Sequence, residues 1–289
     1  MLLQLAVNGL VAGCISALLA GAFSILFTAS RFFVFTFGAS YALAAYMLLA
    51  GKGEAPVWVL SIVGIAAATA LGAGLETGIY GPIRNRGNQP LQLMLASIGI
   101  YTIFQSSLSL AFGDATRTIR PAAVSKIIEL LGARVTTVQI AIALTAIALI
   151  TGIRLFFLRT DYGLQLRAVL DDVDLARAMG LDIKRIVLLG VMLGSAIAGA
   201  AGVLTSFDID LTPTMGFGAL LIGVVGAVIG GIHSARAAAC GGFAVGLLKH
   251  IAVWKLPTEW QDGIVFVLLL FVLLLSPRGL FVTRSERAA

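Results

Sequence analysis

The sequence has little charge and few residues of the kinds that carry catalysis. Only 12% of its 289 residues are charged, against about 25% in soluble globular proteins, which excludes an ordinary soluble enzyme. Its two histidines and two cysteines do not stand at zinc-site spacing, so we expect neither a metal site nor a disulfide framework. The GxxxxGKS or GxxxxGKT motif that cradles nucleotide phosphates is missing, so we expect no enzyme activity and no cofactor in this chain.

Long apolar stretches are what the sequence has instead. Apolar residues make up 59% of the chain. Because one membrane-crossing helix needs about 20 residues, the length predicts a single all-α transmembrane domain over residues 1–289, a polytopic bundle of about eight to ten helices. Nine spans are predicted, at residues 5–29, 32–50, 56–80, 91–112, 138–158, 186–207, 217–232, 237–254 and 259–276. The net charge of +6 then marks cytoplasmic loops in a lipid membrane and not a nucleic-acid patch.

The distribution of Lys and Arg predicts the orientation. These residues collect in segment 159–185 and in the C-terminal tail, so both are expected to be cytoplasmic, which puts the N-terminus outside. Residues 208–215, with two Asp and no basic residue, then lie outside. Residues 113–137 also fall outside although they carry four basic residues. Either they form an amphipathic element on the outer face, or the span count is wrong by one.

Ionisable groups within the predicted spans are sparse. Glu76 and Lys249 both lie near predicted span ends, where their side chains are expected to reach towards the membrane surface. A chain of buried carboxylates that marks a proton relay is missing from the sequence. This disfavours a proton-coupled transporter.

Small residues recur every four positions on two spans, which predicts seams where helices pack closely. The stripes are Gly9, Gly13, Ala17 and Gly21 on the first span, and Gly190, Gly194, Ala198 and Gly202 on the sixth. The tripeptide Phe-Gly-Ala also occurs at residues 37–39 and again at 217–219, five spans later. An inverted repeat, as in many transporters, and chance in a chain rich in glycine and alanine explain this equally well.

Residues 159–185 are the most structured polar segment. Asp172 is a natural N-cap for a short helix from Val173 to Met179, Asp174 favours its first turn, and Gly180 supplies a left-handed C-terminal residue. Three apolar residues, Val173, Ala176 and Met179, give this helix a face to bury. That face either packs on the chain's own spans or docks into a partner.

The same segment resembles a known family. GLQLRAVLDDVDLARAMGLDIKR at 163–185, with GSAIAGAAGVL at 194–204, resembles the cytoplasmic coupling loop and following span of branched-chain amino acid ABC transporter permeases. The resemblance continues through VVGAVIGGIHSARAAACGGFAVGLL at 224–248 and SPRGLF at 276–281. Upstream, ETGIYGPIR at 76–84 resembles the family's cytoplasmic E-x-x-x-Y-x-P-L/I-R segment.

The resemblance implies a permease subunit of a bacterial inner-membrane importer. Its implied partners are a second homologous permease, two cytoplasmic ATPase subunits that bind ATP and Mg²⁺, and a periplasmic solute-binding protein. The short helix would be the coupling helix that seats in an ATPase subunit. The residues assigned to that coupling are Asp172, Asp174, Ala176, Arg177, Met179 and Gly180.

Polar side chains within spans tend to face the bundle interior or an aqueous cavity, which selects candidates for the solute pathway. They are Ser40, Tyr41, Ser97, Tyr101, Gln105, Thr205 and Ser206. Tyr101 and Gln105, four residues apart on one helix face, are the better pair. For the Ser and Thr residues, a hydrogen bond to their own helix backbone is the stronger alternative.

One segment departs from the family. Where an Asn-Phe-Ala-His-Gly segment usually enters the second span, residues 34–38 read Val-Phe-Thr-Phe-Gly. Either these positions are structural, or the solute differs from a branched-chain or other small amino acid, with urea, amides, aromatic acids and other small carboxylates as alternatives. From another class, a stand-alone secondary transporter or channel remains an alternative.

Overall fold

The computed structural model describes residues 2–87, 89–119, 127–130, 133–171, 173–252, 261–275 and 279–281. Helices dominate these residues, which confirms the predicted all-α membrane bundle, and two short strands form an antiparallel hairpin. The helices are α1 (Leu2–Ser30), α2 (Thr36–Ala50), α3 (Val57–Leu75), α4 (Gly81–Gly87), α5 (Pro90–Phe112), α6 (Thr137–Arg159), α7 (Asp161–Asp171), α8 (Val173–Ala178), α9 (Ile183–Ser206), α10 (Met215–Gly230), α11 (Ala235–Ala252) and α12 (Gln261–Leu275). The strands are β1 (Ile127–Leu130) and β2 (Ala133–Thr136).

Each of the nine predicted spans coincides with a helix. Five of the helices are long and apolar enough to cross a membrane by length and composition. Two more, α10 and α11, meet that test only as a pair bent by 115°, and α2 and the apolar part of α12 are shorter. The third predicted span is longer than expected, because α3 continues through the π-helical turn Glu76–Tyr80 into α4.

Two structured elements in the polar segments were not predicted. Helix α7 fills the first half of segment 159–185, and the β1–β2 hairpin occupies part of segment 113–137, where an amphipathic element or a miscounted span was expected. Outside the hairpin, the backbone of Arg117 exchanges two hydrogen bonds with Leu211, of 3.0 and 2.7 Å. Segments 113–119 and 208–215 are therefore neighbours. This is expected for two segments on the same side of the membrane.

The chain divides into two compact units. The first unit consists of Met1–Ser24, Arg120–Thr151 and Leu221–Ala289. Its described part packs α1 on α11 along the predicted seam: a Cβ at Gly9 would lie 3.2 Å from His250, and one at Gly13 would lie 3.1 Å from Phe243. Small residues therefore permit this close approach of two helices.

The second unit consists of Ile25–Ile119 and Gly152–Leu220. Helix α9 is its buried centre and packs on α2, α3 and α7. The predicted seam on α9 is confirmed, because Gly190 faces Ala29 and Gly202 faces the backbone of Tyr41, with no room for a side chain at either glycine. All the candidate residues for coupling and for the solute pathway belong to this unit.

Candidate functional site

The N-terminal ends of α2 and α10 cross at two glycines. A Cβ placed on Gly38 would lie 2.5 Å from the carbonyl oxygen of Gly216, and a Cβ on Gly216 would collide with the carbonyl of Gly38. Both obstacles are backbone atoms, so a side chain at either position forces the two helices apart. We call this contact the glycine crossing. It joins the neighbourhoods of the two Phe-Gly-Ala segments found in the sequence.

Tyr101 of α5 packs against the glycine crossing. Its ring edge would lie 3.1 Å from a Cβ on Gly38, and its ring centroid is 6.4 Å from that of Phe217 in the first turn of α10. Tyr101 is only 6% exposed. Its hydroxyl faces the backbone of Phe217 but makes no hydrogen bond of regular geometry with any described residue. A buried hydroxyl without a regular partner costs stability, and among the described residues the Tyr46 hydroxyl shares this property.

The chain entering α2 is held by two hydroxyl groups. The Ser97 hydroxyl of α5 lies 2.8 Å from the Met94 carbonyl oxygen, to which it donates, and it accepts the Phe35 N–H at 3.2 Å. The hydroxyls of Tyr80 and Thr36 are hydrogen-bonded at 3.0 Å. Ser97, a candidate for the solute pathway, thus fixes the start of α2.

Most of the seven pathway candidates are buried within the second unit. Six of the seven are buried, and Gln105, one turn from Tyr101, is partly exposed. Thr205 and Ser206 donate to carbonyl oxygens of their own helix at 2.8 and 2.7 Å, and the Tyr41 side chain is hydrogen-bonded to Thr205. The structure therefore brings Tyr101 to the glycine crossing, and the hydroxyls of Ser97, Thr205 and Ser206 bond backbone carbonyl oxygens.

The π-helical turn carries a buried ion pair. Arg84 of α4 donates to the Glu76 carboxylate at 2.5 Å, and the two side chains are 24% and 6% exposed. Glu76 was expected to reach the membrane surface, and that expectation is wrong because Arg84 follows eight residues later and meets it in the interior. The pair fixes the π-helical turn that carries Tyr80, and hence the hydrogen bond from Tyr80 to α2.

The short helix predicted from Val173 to Met179 exists as α8. It ends at Ala178, one residue before the predicted end. Gly180 is left-handed as predicted, with a φ of 84°, and the Leu181 N–H bonds the Ala176 carbonyl oxygen at 3.1 Å, which closes the helix. Asp172, the predicted N-cap, lies outside the described residues, as does the side chain of Asp174.

The two faces of α8 differ. Ala176, only 2% exposed, packs in a cluster with Leu166 and Val169 of α7 and Ile186 of α9. Met179 was placed on the same buried face, but it is 65% exposed, because the chain turns at the end of α8 and carries it outward. Leu175, 60% exposed, lies beside Met179 on this outer side. Leu175 is not among the predicted coupling residues, although its spacing of four residues from Met179 is a signal for a shared helix face. Arg177 is exposed as well.

The family model for "Branched-chain amino acid transport system / permease component" matches residues 5–273. The chain belongs to this permease family. It is 29% identical to the high-affinity branched-chain amino acid transport system permease protein LivH of Salmonella typhimurium, over 96% of this chain and 94% of the relative. It is 28% identical to LivH of Escherichia coli K12, over 96% and 94%, and 27% identical to the permease protein BraD of Pseudomonas aeruginosa, over 96% and 95%. No solved structure matches the chain significantly.

Membership in this permease family accounts for the helices as spans of a multi-pass membrane protein and makes the chain a transport component. Two apolar residues are buried in segment 34–38, which was predicted to depart from the family's pattern. Val34 is 3% exposed and packs with Phe32, Tyr80 and Leu93, and Phe37 is fully buried. Apolar side chains at these two positions therefore contribute to the packing at the start of α2.

Proposed function

We propose that this permease is a transmembrane subunit of an ABC importer for branched-chain or other small amino acids. It forms half of a solute pathway together with a second, homologous permease. The observation that carries the proposal is the two-sided helix α8, which is anchored inside the second unit by Ala176 and presents Leu175 and Met179 outward. An exposed pair of apolar side chains on a short, anchored loop helix fits a binding surface for a partner subunit. Because this chain has no phosphate-binding loop, the partners that it requires are ATPase subunits that bind ATP and Mg²⁺.

The coupling assignment predicts a separable effect of the outer face of α8. We expect Met179→Glu or Leu175→Glu to weaken binding of the ATPase subunits at least about tenfold, as loss of one buried anchor does at an interface. The permease itself should keep its melting temperature, because exposed substitutions change stability by no more than about 0.5 kcal/mol. The measurement is the Kd between purified permease in detergent and the ATPase subunit.

The matched control is Ile209→Glu, since Ile209 is 58% exposed but lies in the loop between α9 and α10, predicted on the opposite side of the membrane. It should leave ATPase binding unchanged. Ala176→Glu, in contrast, should unfold the α7–α8 region. Equal loss of ATPase binding in the Met179 and Ile209 variants would contradict the assignment.

For the pathway, the glycine crossing with Tyr101 is the best-supported point of solute contact. Tyr101 is the pathway candidate whose buried hydroxyl is not used by any described residue. The burial of Val34 and Phe37 supports small amino acids as the solute. Packing accounts for these two apolar side chains, so they do not indicate a different solute. Urea, amides and aromatic acids then have no observation in their favour.

Tyr101→Phe separates a pathway role from a packing role. Removing an unpartnered buried hydroxyl should leave the melting temperature unchanged or raise it, since a desolvation cost of about 1–3 kcal/mol disappears with the group. We expect ATP-driven uptake to fall nevertheless. The control is Tyr80→Phe, which removes a hydroxyl bonded to Thr36 and should lower the melting temperature. Full uptake by Tyr101→Phe would remove Tyr101 from the pathway.

The importer itself is tested by reconstitution. The permease is placed in liposomes with its homologous partner and both ATPase subunits, and uptake of radiolabelled leucine is measured with ATP and the solute-binding protein present or absent. We expect uptake only when all components and ATP are present. Flux through the permease alone would instead establish a channel or secondary transporter. A thermal-shift screen of the solute-binding protein against amino acids, amides and aromatic acids then identifies the solute.

A further inference from the structure

Arg31 stands between α1 and α2 in an unusual backbone conformation. Its φ is 64°, and among the described residues other than glycine it is the one with a positive φ. Residues with a side chain rarely adopt this left-handed region, because Cβ crowds the backbone there. A conformation of this kind persists where the surrounding contacts hold it.

One of those contacts reaches the coupling region. The Arg31 guanidinium donates from Nη2 to the carbonyl oxygen of Val169 at 3.2 Å, across 138 residues of sequence. Val169 lies in the last turn of α7, and its side chain belongs to the cluster that buries Ala176 of α8. The Val169 side chain therefore shares a buried cluster with α8, and its backbone carbonyl accepts the hydrogen bond from Arg31. Any displacement of α8 that carries α7 with it acts on Arg31.

From Arg31 the chain runs directly to the glycine crossing. Phe32 packs its ring edge on Tyr80, with centroids 5.1 Å apart. The Ser97 hydroxyl accepts the Phe35 N–H at 3.2 Å and lies 3.2 Å from the Phe33 carbonyl oxygen. Thr36 opens α2, and two residues later Gly38 meets Gly216. We call residues 31–36 the connector. Its contacts along the chain restrict independent movement of α7 and the start of α2.

We propose that Arg31 is a positioning residue for coupling, which transmits movement of the α7–α8 region through the connector to the glycine crossing. The inference rests on the proposed function as an importer subunit. It differs from that function in assigning a route within this chain: the guanidinium of Arg31 joins α7 to the connector, and the connector sets the position of the start of α2. Without the guanidinium, α8 still binds its ATPase subunit, but the link from α7 to the connector is lost and less of its movement reaches α2.

Arg31→Gly is the central variant, because glycine adopts the observed φ without strain and the substitution removes only the side chain. In the reconstituted importer we expect its ATPase activity and its binding of ATPase subunits to be retained. Solute imported per ATP hydrolysed should fall about tenfold, which corresponds to loss of one hydrogen bond from a charged donor. Arg31→Lys keeps a charged donor and should restore part of the ratio.

The matched control for lost charge is Arg159→Ala, at the exposed end of α6, which should keep the wild-type ratio. An Arg31→Gly importer with the wild-type ratio overturns the inference. So does a parallel loss of assembly, ATPase activity and uptake in both Arg31→Gly and Arg31→Gln, since that pattern marks a purely structural residue. A wild-type complex without ATP-driven uptake overturns the proposed function itself, and is recognised before any variant is compared.

Discussion

Replacing Glu76 with Ala should be among the most destabilising single changes in this chain. The substitution leaves the Arg84 guanidinium, 24% exposed, without the carboxylate it bonds at 2.5 Å. Removing one partner of a buried ion pair costs about 3–5 kcal/mol, because the remaining charge stays desolvated and uncompensated. The π-helical turn that carries Tyr80 would lose its anchor as well. The measurement is the melting temperature of the purified permease in detergent, together with ATP-driven uptake.

Two further variants test the cause. The double variant Glu76→Gln with Arg84→Met should recover much of the lost stability, because it leaves no unpaired charge. Arg185→Ala is the control at a surface pair, since Arg185 and Asp182 are bonded at 3.0 Å but are 85% and 52% exposed. Exposed pairs contribute no more than about 1 kcal/mol, so this control should barely change the melting temperature. A Glu76→Ala variant as stable as Arg185→Ala would show that the buried pair does not hold the turn.

Gly216→Ala should have the second large effect. Its methyl group would meet the Gly38 carbonyl, a backbone atom that cannot rotate away, so α2 and α10 must separate. Overpacking of this kind costs about 1–3 kcal/mol, and we expect the upper end of that range together with loss of uptake. Thermal unfolding and ATP-driven uptake of the reconstituted complex measure the two consequences.

Gly218→Ala is the matched control, two residues further along the same helix. A Cβ at Gly218 meets no heavy atom within 4 Å. Alanine is favoured over glycine within helices by about 0.5–1 kcal/mol, so this variant should be neutral or slightly more stable. If Gly216→Ala and Gly218→Ala unfold at the same temperature, the close approach at the glycine crossing is not what holds the two helix ends.

The helices follow from the apolar pattern alone. Each predicted span corresponds to a helix because a stretch of about 20 apolar residues in lipid has to satisfy its backbone hydrogen bonds internally. The left-handed residue that follows α8 was also predictable, since Gly180 adopts a conformation that few other residues reach. The β1–β2 hairpin and α7 were missed because both lie in polar segments, where no hydrophobic period marks the elements.

The site was harder to predict because its residues come together from distant parts of the chain. The Tyr101 side chain was selected for its polarity within a span, and the structure places it at the glycine crossing. Ser97, Thr205 and Ser206 were selected on the same ground. Each of these hydroxyls instead bonds a carbonyl oxygen of its own helix, which is the alternative expected for Ser and Thr in helices. Polarity within a span does not distinguish these two uses.

The sequence by itself determined the class of the protein, its spans, its family resemblance and the existence of the loop helix at α8. These depend on local composition, hydrophobic length and capping, which act between residues close in the chain. Only the tertiary structure decided that Glu76 is paired with Arg84, that Met179 faces outward while Ala176 is buried, that Gly38 meets Gly216, and that Arg31 bonds Val169. Each of these depends on which helix faces which, and the packing of whole helices sets that choice.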